Sequence, residues 1–218
     1  MSTSRPLPVA AAWCWIAAGL VYLGTEAVSA VAFPGYSYAT NYISDLGIPE
    51  VGTSGGRPID SPLAWVMNTG FVLHGLLFAA AGVLVAAKRG TTVWRLVALL
   101  AVVHGVGNVL VGVVHSGDGP LHGIGAAMAI VGGDLAAITA GLAVRAKTSR
   151  RLGAAFVALG VVGIVSVVAL VLDSGSSSVD LLPDGVWERL AVYTITAFEL
   201  TLGATILARR RRSAPRAS

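Results

Sequence analysis

The sequence predicts an all-α, polytopic membrane protein of six transmembrane helices with both termini in the cytoplasm. Three observations predict it. The 218 residues are 55% hydrophobic and 12% charged, with a mean hydropathy of +0.77; a soluble domain carries about twice that charged fraction. Apolar runs of about 20 residues, the length that crosses a bilayer, recur along the chain. Thirteen of the fifteen Lys and Arg fall in the two tails, at Lys88, Arg89 and Arg95, or between Arg145 and Arg151, in segments that contain no acid. Six helices put all of these on one side, and the positive-inside bias makes that side the cytoplasm. The net charge of +4 therefore follows topology and points to no nucleic-acid partner.

Residues 1–8 form a short cytoplasmic tail, 9–208 the six-helix domain and 209–218 a basic cytoplasmic tail. Helix 1 spans 9–32. A cleaved signal peptide is the competing reading, with Val28-Ser29-Ala30 as the cleavage site. The run is longer than a normal signal core, however, and holds Glu26. Residues 33–62 are the longest loop. Tyr42, Ile43 and Leu46 suggest one amphipathic turn laid on the membrane surface, and Thr53-Ser54-Gly55-Gly56 reads as flexible. Helix 2 spans 63–87, with Ser61 as N-cap and Pro62 in the first turn. Helix 3 spans 92–114 and helix 4 spans 121–144, joined by Ser116-Gly117-Asp118-Gly119-Pro120, where Asp118 and Ser116 are expected to cap helix 4. Helix 5 spans 152–172. A Ser-rich loop over 173–185 follows, then helix 6 over 186–208, capped by Asp184. Trp65 and Trp187 fall near one membrane interface and Trp13, Trp15 and Trp94 near the other, as an aromatic belt requires. Small-residue pairs (Gly119/Gly123, Ala136/Ala140, Gly160/Gly163) are expected to let helices approach closely. The lone Cys14 can form no internal disulfide.

A charged side chain in hydrocarbon costs about 2.5–3.5 kcal/mol on insertion scales. Glu26, Asp134 and Glu199 stand there, with His74 and His104 near mid-membrane and Asn108 one turn from His104. The acids must face the bundle interior, be protonated or meet a partner, and the two histidines are expected to hydrogen-bond Asn68, Asn108 or a buried acid. Nearer the outer surface lie His115, Asp118, His122, Glu188 and Arg189, onto which Asn41, Ser44 and Asp45 could fold. A polar cluster at one membrane face is the default site.

Four chemistries suit these residue types. A zinc site would use His115, Asp118, His122 and Asp45, although the spacing matches no defined metal motif. A single haem would need His74 and His104 at equal depth on neighbouring helices. Serine hydrolysis would start from Ser44 beside Asp45, without a Gly-x-Ser-x-Gly context. Proton-coupled transport would use Glu26, Asp134, Glu199 and the histidines, although six helices without an internal repeat argue against a secondary transporter. Against these stands a membrane module that binds lipid or protein without chemistry of its own.

The stretch Asn41-x-Ile43-Ser44-Asp45-Leu46-Gly47, the His115…His122-x-x-Gly125-Ala126 hairpin and Glu188-Arg189-Leu190 resemble the six-helix bacterial membrane proteins catalogued as domain of unknown function 998. The resemblance covers about residues 11–208. It implies a six-span integral membrane protein with an outward-facing polar signature, and implies no activity. The Ala-, Gly-, Val- and Arg-rich composition also suggests a bacterium with a GC-rich genome.

The expectation is a multi-pass protein of a bacterial plasma membrane with a pocket open to the extracytoplasmic face. Residues 41–47, the His115–His122 turn and Glu188/Arg189 would form its wall. In the binding reading, Arg189 and His122 meet the headgroup of a membrane lipid or small amphiphile. In the enzyme reading, His115 and His122 hold a metal or act as bases, oriented by Asp45 or Asp118. A homo-oligomer is compatible with either.

Overall fold

The computed structural model describes residues 7–174 and 181–213. Arg5, Arg216 and the Ser-rich tract 175–180 lie outside them. Six helices account for most of the chain: α1 (Val9–Ala32), α2 (Ala64–Arg89), α3 (Thr92–Val113), α4 (Pro120–Lys147), α5 (Arg150–Ser174) and α6 (Asp184–Ser213). They have 22 to 30 residues, or about 33–45 Å at 1.5 Å per residue, enough to cross a hydrocarbon core of about 30 Å. All six are apolar enough to do so.

Each helix packs on its sequence neighbours, and α6 closes back on α1 while touching α4. The result is a ring of antiparallel helices. The start of α1, the end of α6, the α2–α3 turn and the α4–α5 turn lie at one end, the termini side; the 33–62 loop, the α3–α4 turn, the end of α5 and the start of α6 lie at the other, the loop side. The two short turns need little chain. Gly90 ends α2 in the left-handed region (φ 66°), its N–H donating to Ala86 O at 2.8 Å, a conformation that favours glycine.

The interior divides in two. Toward the termini side, Trp15, Phe78, Phe156 and Phe198 form an aromatic core; Phe198 meets Phe156 edge-to-face at 5.0 Å and Trp15 at 6.4 Å. Trp15 is therefore not part of an interfacial belt. Two residues on a helix lie about 200° apart, so while Trp13 is exposed, Trp15 is wholly buried. Toward the loop side, Tyr22, Phe33, Met67, Phe71 and Val111 pack with Ile43, Leu46, Ile48 and Ile59. The last four come from the long loop. Ile43 and Leu46 flank and occupy a 3₁₀ turn (Ser44–Gly47) that is buried on the helices rather than laid on the membrane surface.

The helices approach closely where glycine permits it. A Cβ on Gly75 would stand 2.6 Å from Gly105 O, and one on Gly105 would stand 2.7 Å from Gly75 O, so α2 and α3 meet backbone to backbone. A Cβ on Gly141 would stand 2.8 Å from Gly153 O, and Gly160 faces Ile138, joining α4 to α5. Gly119 and Gly123 do not take part: neither would meet anything within 4 Å. Gly75→Ala is expected to destabilise the bundle by about 1–3 kcal/mol through overpacking. Gly24→Ala, at an exposed site with nothing within 4 Å, should be neutral or slightly stabilising. Thermal unfolding of the two variants in one detergent checks the contrast.

Several local expectations need correction. Thr53–Gly56 is not a loose linker: β1 (Gly52–Ser54) pairs antiparallel with β2 (Arg57–Ile59) across Gly55-Gly56, both with positive φ (53° and 79°), as a tight hairpin turn requires. Ser61 does not cap α2; its hydroxyl donates to Leu46 O at 2.7 Å, tying the loop to the helix start. Asp118 does not cap α4 but meets His115 Nε2 at 2.9 Å. Asp184 is the first residue of α6, and its carboxylate accepts from Tyr42 Oη at 2.7 Å.

Candidate functional site

The loop side is closed by a lid built from residues 41–59. Asp45 is fully buried and every bond it makes is internal. Its Oδ2 accepts from Asn41 Nδ2 (3.1 Å), Tyr42 N (3.0 Å) and Arg57 Nε (2.8 Å), and its Oδ1 from Arg57 Nη2 (3.0 Å). The hairpin delivers Arg57, whose guanidinium also lies 4.2 Å from the Tyr42 ring centre. The hydrogen bond to Asp45 holds the Arg57 guanidinium above its ordinary pKa. Burial, helped by the bond to Asp184, pushes the Tyr42 phenol up, so it stays a donor. The lid is fastened to the helices by Glu188, which accepts from Ile43 N, and by Asn68, which donates to Gly47 O at 2.8 Å.

Arg189 does not face a headgroup, contrary to expectation. It is buried and its donors are directed inward. Nε and Nη2 meet Glu26 Oε1 at 3.2 and 3.1 Å. Nη1 donates to the carbonyls of Tyr38, Asn41 and Gly185 at 2.7–3.0 Å, and Nη2 donates to Tyr36 Oη. Tyr193 Oη donates to Glu26 Oε2 at 2.9 Å. Burial raises the Tyr36 phenol against the opposing effect of Arg189. Arg57 and Arg189 are the two cations that the one-sided charge count leaves over, and both are neutralised by buried acids.

Deeper, four side chains from three helices form one hydrogen-bonded chain. His104 Nδ1 lies 2.6 Å from Ala129 O. A carbonyl only accepts, so Nδ1 carries a proton. Asn108 Nδ2 donates to His104 O (3.0 Å) and lies 3.1 Å from His104 Nε2. That nitrogen must then be bare, and His104 is neutral. The amide is thereby oriented with Oδ1 toward His74 Nδ1 at 3.3 Å, which must donate. What remains is His74 Nε2 against Glu199 Oε1 at 3.1 Å, a contact that needs one proton. Whether it sits on the carboxyl or the imidazole, the group is neutral overall. Of the expected partners, Asn108 and a buried acid, Glu199, hold His74, and Asn68 does not.

Above this chain lies a cavity of about 300 Å³ that reaches the loop side. His74, His104 and Asn108 are at its base; Phe71, Val111, Ile130, Val192 and Ile195 line its sides; Tyr42, Ser44, Ser116, His122 and Glu188 stand toward the lid. One side lies between the loop-side halves of α4 and α5, at Gly123, Ala127, Val167 and Val171, where Gly123, Ala127 and Val171 are exposed. The two helices are joined tightly only further toward the termini side, at Asp134/Gly163, Ile138/Gly160 and Gly141/Gly153.

Several polar groups on this lining have no protein partner or keep one position without a partner. Among the described residues, the hydroxyls of Tyr22, Ser44 and Ser116 make no hydrogen bond. Glu188 makes only that from Ile43, through Oε2, and His122 only that from Nδ1 to Val114 O (2.7 Å), which leaves Nε2. No Lys or Arg is in the lining. Tyr22 carries no signal in the sequence, being a tyrosine in an apolar helix, and Ser116 stands there only as an expected cap of helix 4, a bond it does not make.

The expected metal set does not assemble. Asp45 is held by Arg57, His115 faces Asp118 and, at 3.8 Å, Glu50, and His122 points Nδ1 at Val114 O. Among the described residues, no three His, Cys, Asp or Glu converge in a way that could hold a metal ion. A haem between His74 and His104 is ruled out by geometry. Their ring centres are 5.0 Å apart at 81°, and all four ring nitrogens are engaged, so neither a macrocycle nor a ligand lone pair is accommodated. Asp134 lies apart, buried, its Oδ1 accepting from Thr194 Oγ1 at 3.1 Å and its Oδ2 without a hydrogen bond.

A family model described as protein of unknown function (DUF998) matches residues 16–205. The chain belongs to the DUF998 family. No curated protein and no solved structure matches it. The DUF998 match covers all six helices in whole or large part, and with them both the lid and the cavity.

Proposed function

We propose that this DUF998 protein binds a lipid or small amphiphile in the cavity under its lid. The carrying observation is that one space joins an apolar side between α4 and α5 to a set of polar groups beneath the lid that keep hydrogen-bonding positions unused by the protein. A chain enters from the bilayer between the two helices, and its polar end rests among Ser44, Ser116, His122 and Glu188. The volume is at the low end of small-molecule sites, about 300–1,000 Å³, which favours one chain over a two-chain phospholipid. The polar end faces the extracytoplasmic side of a bacterial plasma membrane, a reading supported by the acid-free, basic termini side. The hydrogen-bonded chain at the base supports binding over proton transport: it ends on Ala129 O, a carbonyl that accepts a hydrogen bond but passes no proton on.

The test is photolabelling in nanodiscs with a long-chain alcohol carrying a diazirine in its chain. Labels are expected on the loop-side halves of α4 and α5. Gly123→Phe fills the cavity at a position where an added Cβ meets nothing within 4 Å, so it should reduce labelling to background without unfolding the protein. Equal labelling of the folded variant would refute the binding reading.

A further inference from the structure

Resting on that binding reading, we infer that the cavity is selective for head charge: its ligand is a single-chain amphiphile with a cationic, hydrogen-bond-donating head, an ammonium rather than a carboxylate or phosphate. The juxtaposition that carries this is Glu188 and His122 Nε2 with the hydroxyls of Tyr22, Ser44 and Ser116, all lining one space from which every cation is missing.

These groups ask for donors. Glu188 in its ionised form only accepts, and an imidazole whose Nδ1 proton is given to Val114 O offers Nε2 as an acceptor. The three hydroxyls serve either role. Tyr22 is nearly fully buried, and its hydroxyl, which has no protein partner, is accessible only from the cavity it lines. A donor-rich ligand would pair with several of these groups at once.

The two arginines on this side are unavailable to an anion. Arg57 is held by Asp45 and Arg189 by Glu26 and three carbonyls. Asp184 adds a second carboxylate beside Tyr42. The base contributes no charge, because its hydrogen-bond order keeps His104 neutral and lets Glu199 and His74 share one proton. An anionic head would meet Glu188 with no Lys or Arg in the lining to pair with it. An ammonium would replace the missing donors and gain a charge-assisted bond.

The experiment uses the full-length protein in zwitterionic phosphatidylcholine nanodiscs, with dodecylamine, dodecanol and dodecanoate competing against the photoreactive alcohol at matched bilayer mole fractions. Dodecylamine is expected to compete about tenfold better than dodecanol, the weight of one charge-assisted hydrogen bond, and dodecanoate worse than dodecanol. In Glu188→Gln, whose amide oxygen still accepts from Ile43, amine and alcohol should compete equally. In Ser116→Lys, on the partly exposed α3–α4 turn, dodecanoate should become the best competitor. A wild-type protein that prefers dodecanoate, or that does not distinguish amine from alcohol, overturns the charge assignment and leaves the cavity reading standing. An order unchanged in Ser116→Lys also overturns it. Failure of all three compounds to compete overturns the cavity reading itself.

Discussion

Arg189→Met is expected to cost about 3–5 kcal/mol, the loss typical of breaking a buried ion pair from one side. The substitution leaves Glu26 inside the bundle with only Tyr193 as donor and removes the donor to the carbonyls of Tyr38, Asn41 and Gly185. Those carbonyls belong to the segment after α1 and to the first turn of α6, so the damage falls on the attachment of the lid. Thermal unfolding in detergent should show a large drop, with proteolysis first within residues 33–62. Glu26→Gln combined with Arg189→Met removes the uncompensated charge and should recover part of the loss, as expected when a pair is removed whole. A single variant as stable as the wild type would show that the Glu26–Arg189 pair does not tie α1 to α6.

The same pair shows where the sequence is legible. Helix positions follow from apolar runs that must match the bilayer, and the expected limits agree with the observed ones to within a few residues at most ends. The burial of Glu26, Asp134 and Glu199 follows from the cost of charge in hydrocarbon. Their partners do not, because nothing in the sequence states which helices are neighbours or how each is rotated. Asn68 stands six residues before His74 on the same helix, about 9 Å away along its axis, whereas Asn108 reaches His74 across the α2–α3 contact at Gly75/Gly105. Two signals were present and carried more than was read from them. Gly55-Gly56 between Ser54 and Arg57 is a hairpin turn signal, and the hairpin brings Arg57 to Asp45. Arg57 and Arg189 break the one-sided distribution of basic residues, and a cation on that side needs an acid nearby. Pairing each with an acid beforehand would have argued against a headgroup contact at Arg189. The cavity itself was beyond reach: it depends on α4 and α5 parting beyond Asp134 and Gly163, a matter of helix crossing that composition does not encode.

The hydrogen-bonded chain at the cavity base makes the second large prediction. Asn108→Leu preserves volume and removes both of its roles at once. His74 Nδ1–H loses its acceptor and His104 Nε2 its donor, at full burial. Each orphaned group costs about 1–3 kcal/mol, so the variant should lose about 2–6 kcal/mol. Glu199→Gln tests the other end of the chain. The contact with His74 Nε2 requires one proton, and the amide N–H of Gln supplies it in fixed form, so this variant should lie within about 1 kcal/mol of the wild type, the scale of one exchanged hydrogen bond. The two outcomes together separate a chain with a set direction from a pair of independently satisfied histidines. Nitrogen-15 spectra of the histidine rings give the direct reading. His104 should be neutral with its proton on Nδ1 in both the wild type and Glu199→Gln, since Ala129 O and the Asn108 amide leave no other assignment. A protonated Nε2 on His104 would break the chain at its second link. The single proton would then no longer be confined to His74 and Glu199, and the floor of the cavity could not be counted as neutral.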